Sequence, residues 1–304
     1  MKNSFYLFGF ITLFLISCET DDGGGTDGIL GCTDPLAANF ESTATADACN
    51  CIYDGFTAIG NPPATALRNV LIEEFTGEWC GWCVDGTYII ETLMENNPGR
   101  VFTTAIHQGD FLQTGLTQTL SEQFNASFYP SGVVDRKLGA ISRELWAGRT
   151  SLGLNEVAKA GIAIETKLID ASNLEGVVHV DFKENLVGNA FNLVLYVTES
   201  GIAASAQQNY YSFLSGQRDH PYYSKNRVLG GSEFTHNFVL RKQVASFEIS
   251  PKAIKGEGVF TRKFSLNIGG YQNENVEIIA MIVDGDLENM LNVAGVGVEK
   301  VYNW

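Results

Sequence analysis

Between residues 70 and 160, short apolar runs alternate with segments in which apolar side chains recur at helical spacing. The predicted strands span residues 70–75, 101–107 and 133–135. The predicted helices span residues 84–97, 116–128 and 141–159. Strands and helices in this order predict an α/β unit that contains parallel strands.

From Gly161 onward the pattern changes to alternating or fully apolar runs, several of them separated by turns rich in Gly, Asn and Asp. These runs span residues 161–169, 176–182, 191–199, 238–249, 260–268 and 276–284. They predict an all-β, antiparallel sandwich of the immunoglobulin-like kind. The stretch 210–231 is long, aromatic and contains glycine, so it is either a binding edge or a packed Ω-type loop.

The N-terminus has the pattern of a secretory signal. Lys2 precedes the apolar run 5–16, whose helical length of about 18 Å is too short for a hydrocarbon core of roughly 30 Å. We therefore predict a signal peptide at residues 1–17. The run ends in the letters LISC, which resemble a bacterial lipobox, so Cys18 is expected to carry a lipid. The alternative is an ordinary secretory signal with an incidental cysteine.

Acidic and glycine residues follow Cys18 and form a tether that extends to about residue 30. The tether resembles a signal for export to the cell surface, and a plain soluble linker explains it equally well.

Residues 31–55 form a small cysteine-containing module that resembles a repeat of bacterial surface proteins. A segment of this size cannot build a hydrophobic core, so a disulfide is its natural staple. Cys32 is expected to pair with Cys51, and Cys49 is the alternative partner, because spacing does not decide between them. Three side chains in the module carry oxygens that suit calcium: Asp34, Asn39 and Asp47. Capping of turns explains the same three residues without a metal.

The sequence Cys80-Gly81-Trp82-Cys83 lies between a predicted strand and a predicted helix. A cysteine at the start of a helix faces unpaired N–H groups and the positive end of the helix dipole, and both favour the thiolate. Cys80 is therefore expected to attack a disulfide, and Cys83 to resolve the mixed disulfide that results. The alternative is a permanent structural disulfide. A zinc site is disfavoured because the chain has no second CxxC pair.

The segment around these cysteines resembles the thioredoxin superfamily, in which a core strand ends in WCxxC at the start of a helix. The resemblance implies a buried acid at Glu74, a packed aromatic residue at Trp79 and a substrate-contacting cis-proline at Pro130. An exposed strand glutamate and a trans proline are the respective alternatives for Glu74 and Pro130. Trp82 stands where thioredoxin has proline, so the direction of the redox reaction stays open.

The charge and composition of the chain argue against several classes of function. The chain has 35 acidic and 20 basic residues, a net charge of −15, and no cluster of Lys and Arg. This balance argues against nucleic acid and against electrostatic docking on anionic lipid. The histidines are scattered without metal-ligand spacing and are interpreted as packing or surface residues: His107, His179, His220 and His236. No cofactor is predicted beyond the redox-active disulfide, and calcium remains the alternative.

The full order of motifs resembles the Bacteroidetes outer-membrane lipoproteins of the outer-membrane protein twenty-eight type. The shared features are the lipobox, the patterns TGxWCGWC (x being any residue) and YPSGVVDR, and a β-rich second half that contains HNFVLR. This resemblance covers residues from about 62 to 298 and implies an outer-membrane location, facing either the periplasm or the cell exterior.

The sequence therefore predicts five parts. They are a signal peptide (1–17), a lipidated tether (18–30), the cysteine module (31–55), a thioredoxin-like domain (62–160) and a β-sandwich (161–304). The leading hypothesis for function is a lipid-anchored thiol–disulfide oxidoreductase acting on proteins that carry thiols or disulfides. The alternative is a surface binding or adhesion lipoprotein that uses the thioredoxin fold as a scaffold.

Overall fold

The computed structural model describes residues 28–286 and 289–304. The predicted signal peptide, Cys18 and most of the tether lie outside the described residues. The helices of the described chain are α1 Cys83–Asn96, α2 Thr117–Gln123, α3 Trp146–Leu154 and α4 Pro251–Ile254. The strands of the first half are β1 Leu30–Gly31, β2 Ala46–Asp47, β3 Val70–Thr76, β4 Val101–His107, β5 Ser131–Val134 and β6 Lys137–Ser142. The long strands of the second half are β7 Ala160–Asp170, β8 Asn173–Phe182, β9 Phe191–Glu199, β14 Val239–Glu248, β15 Phe260–Asn267, β16 Val276–Asp284 and β17 Met290–Gly297. Its two-residue strands are β10 Ile202–Ala203, β11 Gln207–Gln208, β12 Val228–Leu229, β13 Thr235–His236 and β18 Val301–Tyr302.

Strands from both halves of the chain join in one mixed sheet of eight strands. Its order is β17-β16-β9-β14-β4-β3-β5-β6. Strands β3 and β4 are parallel, as the alternation of strands and helices predicts, and β5 pairs with β3 in the antiparallel sense. The two halves meet where Val239 of β14 pairs with Ala105 of β4, and the amide of Ala105 donates to the carbonyl of Phe238 at 2.8 Å.

A second sheet, of order β15-β8-β7-β18, packs against the part of the large sheet formed by the second half. Side chains from both sheets form one core, for example Ile162, Val178 and Phe260 with Leu193 and Ile278. Most of the strand pairs in this region are antiparallel, as the alternating runs after residue 161 predict. The immunoglobulin-like assignment stays a prediction.

Strand β3 is buried along its whole length because both of its faces are covered. Val70 and Ile72 pack with Ile90 of α1 and Trp146 of α3. Leu71 and Phe75, on the opposite face, pack into a different cluster that includes side chains of the second half. Successive side chains of a strand point to opposite faces, so the apolar side chains of β3 contribute to two separate hydrophobic clusters.

Two predicted helices differ from the structure. The predicted helix 141–159 is wrong in its first part, because residues 137–142 form the edge strand β6 against β5. Helix α3 begins only at Trp146, whose fully buried indole fixes its start. Helix α2 is shorter than the predicted 116–128, and Asn125 just beyond it has a φ of 54°, a left-handed conformation that ends a helix.

The N-terminal module is stapled by a disulfide between Cys32 and Cys51, and Cys49 is a free thiol. Asp47 pairs with Arg262 of β15, which fastens the module to the second sheet. Oxygens of Asp34, Asn39 and Asp47 accept hydrogen bonds from protein donors. Within the described residues no group of three or more His, Cys, Asp or Glu is arranged to hold a metal, and calcium binding stays a prediction.

A buried ion pair connects the two halves of the chain. Arg136, in the turn after β5, donates to both carboxylate oxygens of Glu73 at 2.9 and 2.8 Å and to the hydroxyl of Tyr196 at 2.7 Å. Glu73 lies on β3 and Tyr196 on β9, so the guanidinium bridges the first half and the second. All three side chains are nearly inaccessible to water.

We expect Glu73→Gln to lower the free energy of unfolding by about 3–5 kcal/mol, because it removes the buried carboxylate that accepts two hydrogen bonds from the guanidinium of Arg136. The measurement is urea denaturation followed by circular dichroism. The matched control is Glu184→Gln, since the Lys159–Glu184 pair is about half exposed, at 50% and 49%. Loss of that pair should change the free energy by no more than about 0.5 kcal/mol. Equal unfolding midpoints for the two variants would show that the buried pair does not hold the halves together.

Candidate redox site

Cys80 and Cys83 form a disulfide in the turn that connects β3 to α1, with an S–S distance of 2.07 Å. Cys83 is the first residue of α1, and Cys80 lies in the turn before it. The amide of Cys80 donates to the carbonyl of Gly77 at 3.0 Å, and the amide of Cys83 to the carbonyl of Cys80 at 3.1 Å. Cys80 is 4% exposed and Cys83 is 1% exposed. The disulfide thus stands at a helix start but is almost covered.

Glu74 is a buried acid of β3 rather than an exposed strand residue. Its Oε1 accepts no hydrogen bond from the described residues and faces Gly86 in the first turn of α1, where a Cβ would lie only 2.3 Å away. Burial raises the pKa of Glu74 to about 8, and the nearby charges of Glu91 and Asp85 add to the rise. A small cavity of about 20 Å³, lined in part by Glu74, Glu91 and Thr103, adjoins the carboxyl group.

Pro130 and Trp79 lie on one side of the disulfide turn. The Tyr129–Pro130 peptide bond is cis, and Pro130 packs against the first turn of α1 opposite Gly86. Trp79 is 48% exposed, although its Nε1 donates to the carbonyl of Gln108 at 2.7 Å. Its ring meets the ring of Tyr129 edge-on, with centroids 5.1 Å apart.

The other side of the turn is closed by residues 204–234, which we call the cover segment. Gln208 and Tyr210 donate from their backbone amides to the carbonyls of Glu78 and Gly81, at 2.7 and 2.9 Å. The side chain of Gln207 donates to the carbonyl of Cys80 at 3.0 Å. The stretch predicted as a binding edge or a packed loop is therefore packed, and it is packed on the disulfide turn.

Aromatic rings of the cover segment contact Gly81 and Trp82. A Cβ on Gly81 would lie 2.2 Å from the ring of Tyr210, so only glycine fits beneath that ring. Trp82 meets Tyr210 and Tyr211 edge-on, with centroids 5.5 and 5.4 Å apart. The guanidinium of Arg143 also lies over the ring of Trp82, 5.9 Å from its centroid.

Glu78 holds one end of the cover segment. Its Oε1 accepts from the amide of Ser205 at 2.6 Å and lies 3.1 Å from Nε2 of His236. Burial works against the carboxylate, but the hydrogen bonds from Ser205 and His236 outweigh it, so the pKa of Glu78 lies below its ordinary value. The carboxylate is therefore ionised at neutral pH and keeps these bonds.

Asp85 holds the cover segment on the far side of the cysteines. Its Oδ1 lies 3.2 Å from Nε2 of His220, and its other oxygen pairs with Arg143. The ring of His220 stacks on Tyr211 with centroids 3.8 Å apart. Two carboxylates, one before Cys80 and one after Cys83, thus anchor the same segment.

Three of the four histidines contact residues next to the disulfide turn or one another. His107 and His236 lie with ring centroids 4.8 Å apart, His236 pairs with Glu78, and His220 pairs with Asp85 of α1. His179 is remote, on the second sheet near Trp304. Neither Glu78, Gln207 nor Tyr210 carries a motif that marks it in the sequence. The one available signal is the aromatic, Gly-containing composition of the stretch.

The site is a disulfide between two cysteines at the start of a helix. The fold around it is a mixed sheet to which both halves of the chain contribute strands. The sequence matches the family model "Outer membrane protein Omp28" over residues 117–301, and the chain belongs to that family. This assignment confirms the resemblance inferred from the motifs and the outer-membrane location. Lipidation of Cys18 and the membrane face stay predictions. None of the helices in the described ranges has the length and apolar character of a membrane span.

Several solved structures are similar to this chain at low sequence identity. HBP35 of Porphyromonas gingivalis is 19% identical, with 78% of this chain and 77% of that chain covered and a TM-score of 0.59. A protein from Agrobacterium tumefaciens is 10% identical over 77% of this chain and 96% of that chain, with a TM-score of 0.48. A domain of the outer membrane lipoprotein Omp28 from Porphyromonas gingivalis is 16% identical over 47% of this chain and 91% of that chain, with a TM-score of 0.27. No curated protein matches this chain. The likeness to HBP35 concerns the fold alone.

We expect Glu74→Gln to change the pH dependence of stability. The unfolded chain releases the proton of Glu74 near pH 4.5, whereas the folded chain keeps it to about pH 8. Rising pH therefore favours unfolding of the wild type across this window, by up to about 1.4 kcal/mol per pH unit. The glutamine variant lacks this contribution, so its stability relative to the wild type should increase from pH 5 to pH 8 in urea denaturation.

The control for this prediction is Glu95→Gln, on the exposed side of the same helix. Its stability difference from the wild type should be the same at both pH values. If the free energy of unfolding changed with pH in the same way for Glu74→Gln and for the wild type, Glu74 would be ionised in the folded protein.

Proposed function

We propose that the protein is a lipid-anchored thiol–disulfide oxidoreductase of the outer membrane, with a thioredoxin-like arrangement in residues 62–160. The observation that carries the proposal is the Cys80–Cys83 disulfide at the start of α1, together with Pro130 and the buried acid Glu74, which both lie against Gly86 in the first turn of that helix. A structural disulfide needs neither the helix start nor an acid whose pKa is raised toward neutral pH. Perturbed acids of this kind concentrate at functional sites.

The proposed reaction begins with the reduced site. The thiolate of Cys80 attacks one sulfur of a client disulfide, so that a Cys80–client disulfide forms and the other client sulfur leaves as a thiolate. Cys83 then loses its proton and attacks the sulfur of Cys80, which releases the second client sulfur and restores the Cys80–Cys83 disulfide. Two electrons pass to the client, and a dithiol must supply them again. The same steps in reverse oxidise a client dithiol.

Glu74 is proposed to hold or accept the proton of Cys83. It touches Gly86, in the same helical turn as Cys83, and a carboxyl group with a pKa of about 8 exchanges protons readily near neutral pH. The proposed partners are proteins that carry thiols or disulfides, and the lipid on Cys18 is the proposed contact with the membrane. No further cofactor enters the proposed reaction.

One observation favours the second candidate, a surface binding protein with a structural disulfide. Both cysteines are covered, and the cover segment is anchored to Glu78 and Asp85. In that case the disulfide serves to fix the turn on which the cover segment rests. The two functions differ in whether Cys80 exchanges with a client.

We expect the dithiothreitol-reduced protein to reduce a short, flexible peptide that contains one disulfide. Cys80→Ala should abolish the reaction because it removes the attacking sulfur. Cys83→Ala should trap a covalent peptide adduct on Cys80, since the resolving sulfur is missing. Peptide reduction is measured as the loss of fluorescence quenching in the peptide. The covalent adduct is detected by intact-protein mass spectrometry.

The matched control is Cys49→Ala, which removes the free thiol of the N-terminal module. Burial raises the pKa of Cys49, so this thiol is expected to contribute little, and the variant should react like the wild type. Undiminished peptide reduction by Cys80→Ala would rule out the redox proposal and leave the binding function.

A further inference from the structure

We propose that Tyr210 is a specificity-determining residue that admits small or flexible disulfides to Cys80 and excludes disulfides held on folded protein surfaces. This inference rests on the proposed redox function and names its substrate class. It follows from the unequal surroundings of the disulfide turn on its two sides.

On the Gly81–Trp82 side, the cover segment packs directly on the turn. The ring of Tyr210 lies directly on Gly81, and backbone and side-chain donors of the cover segment occupy the carbonyls of Glu78, Cys80 and Gly81. These carbonyls would otherwise be free to bind the backbone of an incoming chain. The cover segment thus takes the place of a client on this side of the turn.

The cover segment is anchored on both flanks of the cysteines, so it is not a loose flap. Glu78 binds Ser205 and pairs with His236, and Asp85 pairs with His220. Four side chains of the second half pack with Val84 of α1 in one apolar cluster: Ala204, Tyr211, Leu229 and Phe234. Moving the segment to admit a client would break all of these contacts together.

The Trp79 side is open and aromatic. The ring of Trp79 is 48% exposed and contacts the ring of Tyr129, which precedes Pro130 in the chain. Cys80, which follows Trp79 directly in the chain, is 4% exposed. Tyr210 is 37% exposed and rests on Gly81, the residue after Cys80, so a client sulfur that reaches Cys80 from the Trp79 side meets the ring of Tyr210 on the opposite side.

A one-sided opening discriminates by shape. Exchange requires the attacking sulfur to approach the client disulfide along the S–S axis, and a flexible peptide can turn its disulfide into that line. A disulfide on the surface of a folded protein cannot turn independently of the residues around it. Those residues collide with Tyr210 and the cover segment when the disulfide approaches Cys80. The bulk of the Tyr210 ring, rather than its hydroxyl, is the determinant.

The test compares rate constants of the reduced full-length protein with two substrates, the flexible disulfide peptide and folded insulin. Tyr210→Ala should raise the ratio of the insulin rate to the peptide rate at least about tenfold over the wild type. Tyr210→Phe should keep the wild-type ratio because the ring remains. Phe213→Ala is the matched control, since Phe213 is on the same segment but 71% exposed, and it should also keep the wild-type ratio.

A ratio for Tyr210→Ala within about twofold of the wild-type ratio would overturn the inference while leaving the redox function intact. Access can also be measured without turnover. In a Cys49→Ala, Cys83→Ala background, Cys80 should react with iodoacetamide much faster than with a polymer-linked maleimide, and Tyr210→Ala should narrow that difference. If the redox function is wrong, the protein will not reduce the peptide, but the difference in labelling of Cys80 will remain. If only the role of Tyr210 is wrong, the protein will reduce the peptide and Tyr210→Ala will not change the labelling.

Discussion

The structure depends on the complete burial of β3 between two layers of the protein. Because successive side chains of a strand point to opposite faces, the adjacent acids Glu73 and Glu74 enter different environments. Glu73 meets Arg136 and Tyr196 and joins the first half of the chain to the second. Glu74 lies against α1, and its Oε1 accepts no hydrogen bond from the part of the chain that the structure describes. One pair of neighbouring residues thus serves the assembly of the fold and the candidate site.

The same burial explains why the second half of the chain belongs to the site. A sheet of the first half alone would expose the edge of β4, and the second half covers that edge with β14. Immediately before β14 the chain runs through the cover segment, which therefore reaches the disulfide turn. The pairing of Val239 with Ala105 brings His236 next to His107 and within reach of Glu78.

Acidic side chains and histidines around the disulfide are arranged in carboxylate–histidine pairs. Glu78 pairs with His236, Asp85 with His220 and Asp110 with His107. Burial lowers the pKa of His220 and of His236, so both are neutral near pH 7 and act as hydrogen-bond partners. Within the described residues these pairs fasten loops to the ends of β3, β4 and α1, which is where the chain must change direction around Cys80.

The sequence by itself determined what depends on local pattern: the order of strands and helices near residues 70–134, the antiparallel strands after residue 161, the CxxC turn at a helix start and the family. These follow from periodicity and from motifs whose residues are adjacent along the chain. Only the tertiary structure decided that residues 137–142 are an edge strand, that Glu74 is buried and that Tyr210 rests on Gly81. Each of these rests on contacts between segments far apart in sequence. Composition cannot reveal them, because burial of a polar side chain and closure of a site are properties of the neighbours that the fold supplies.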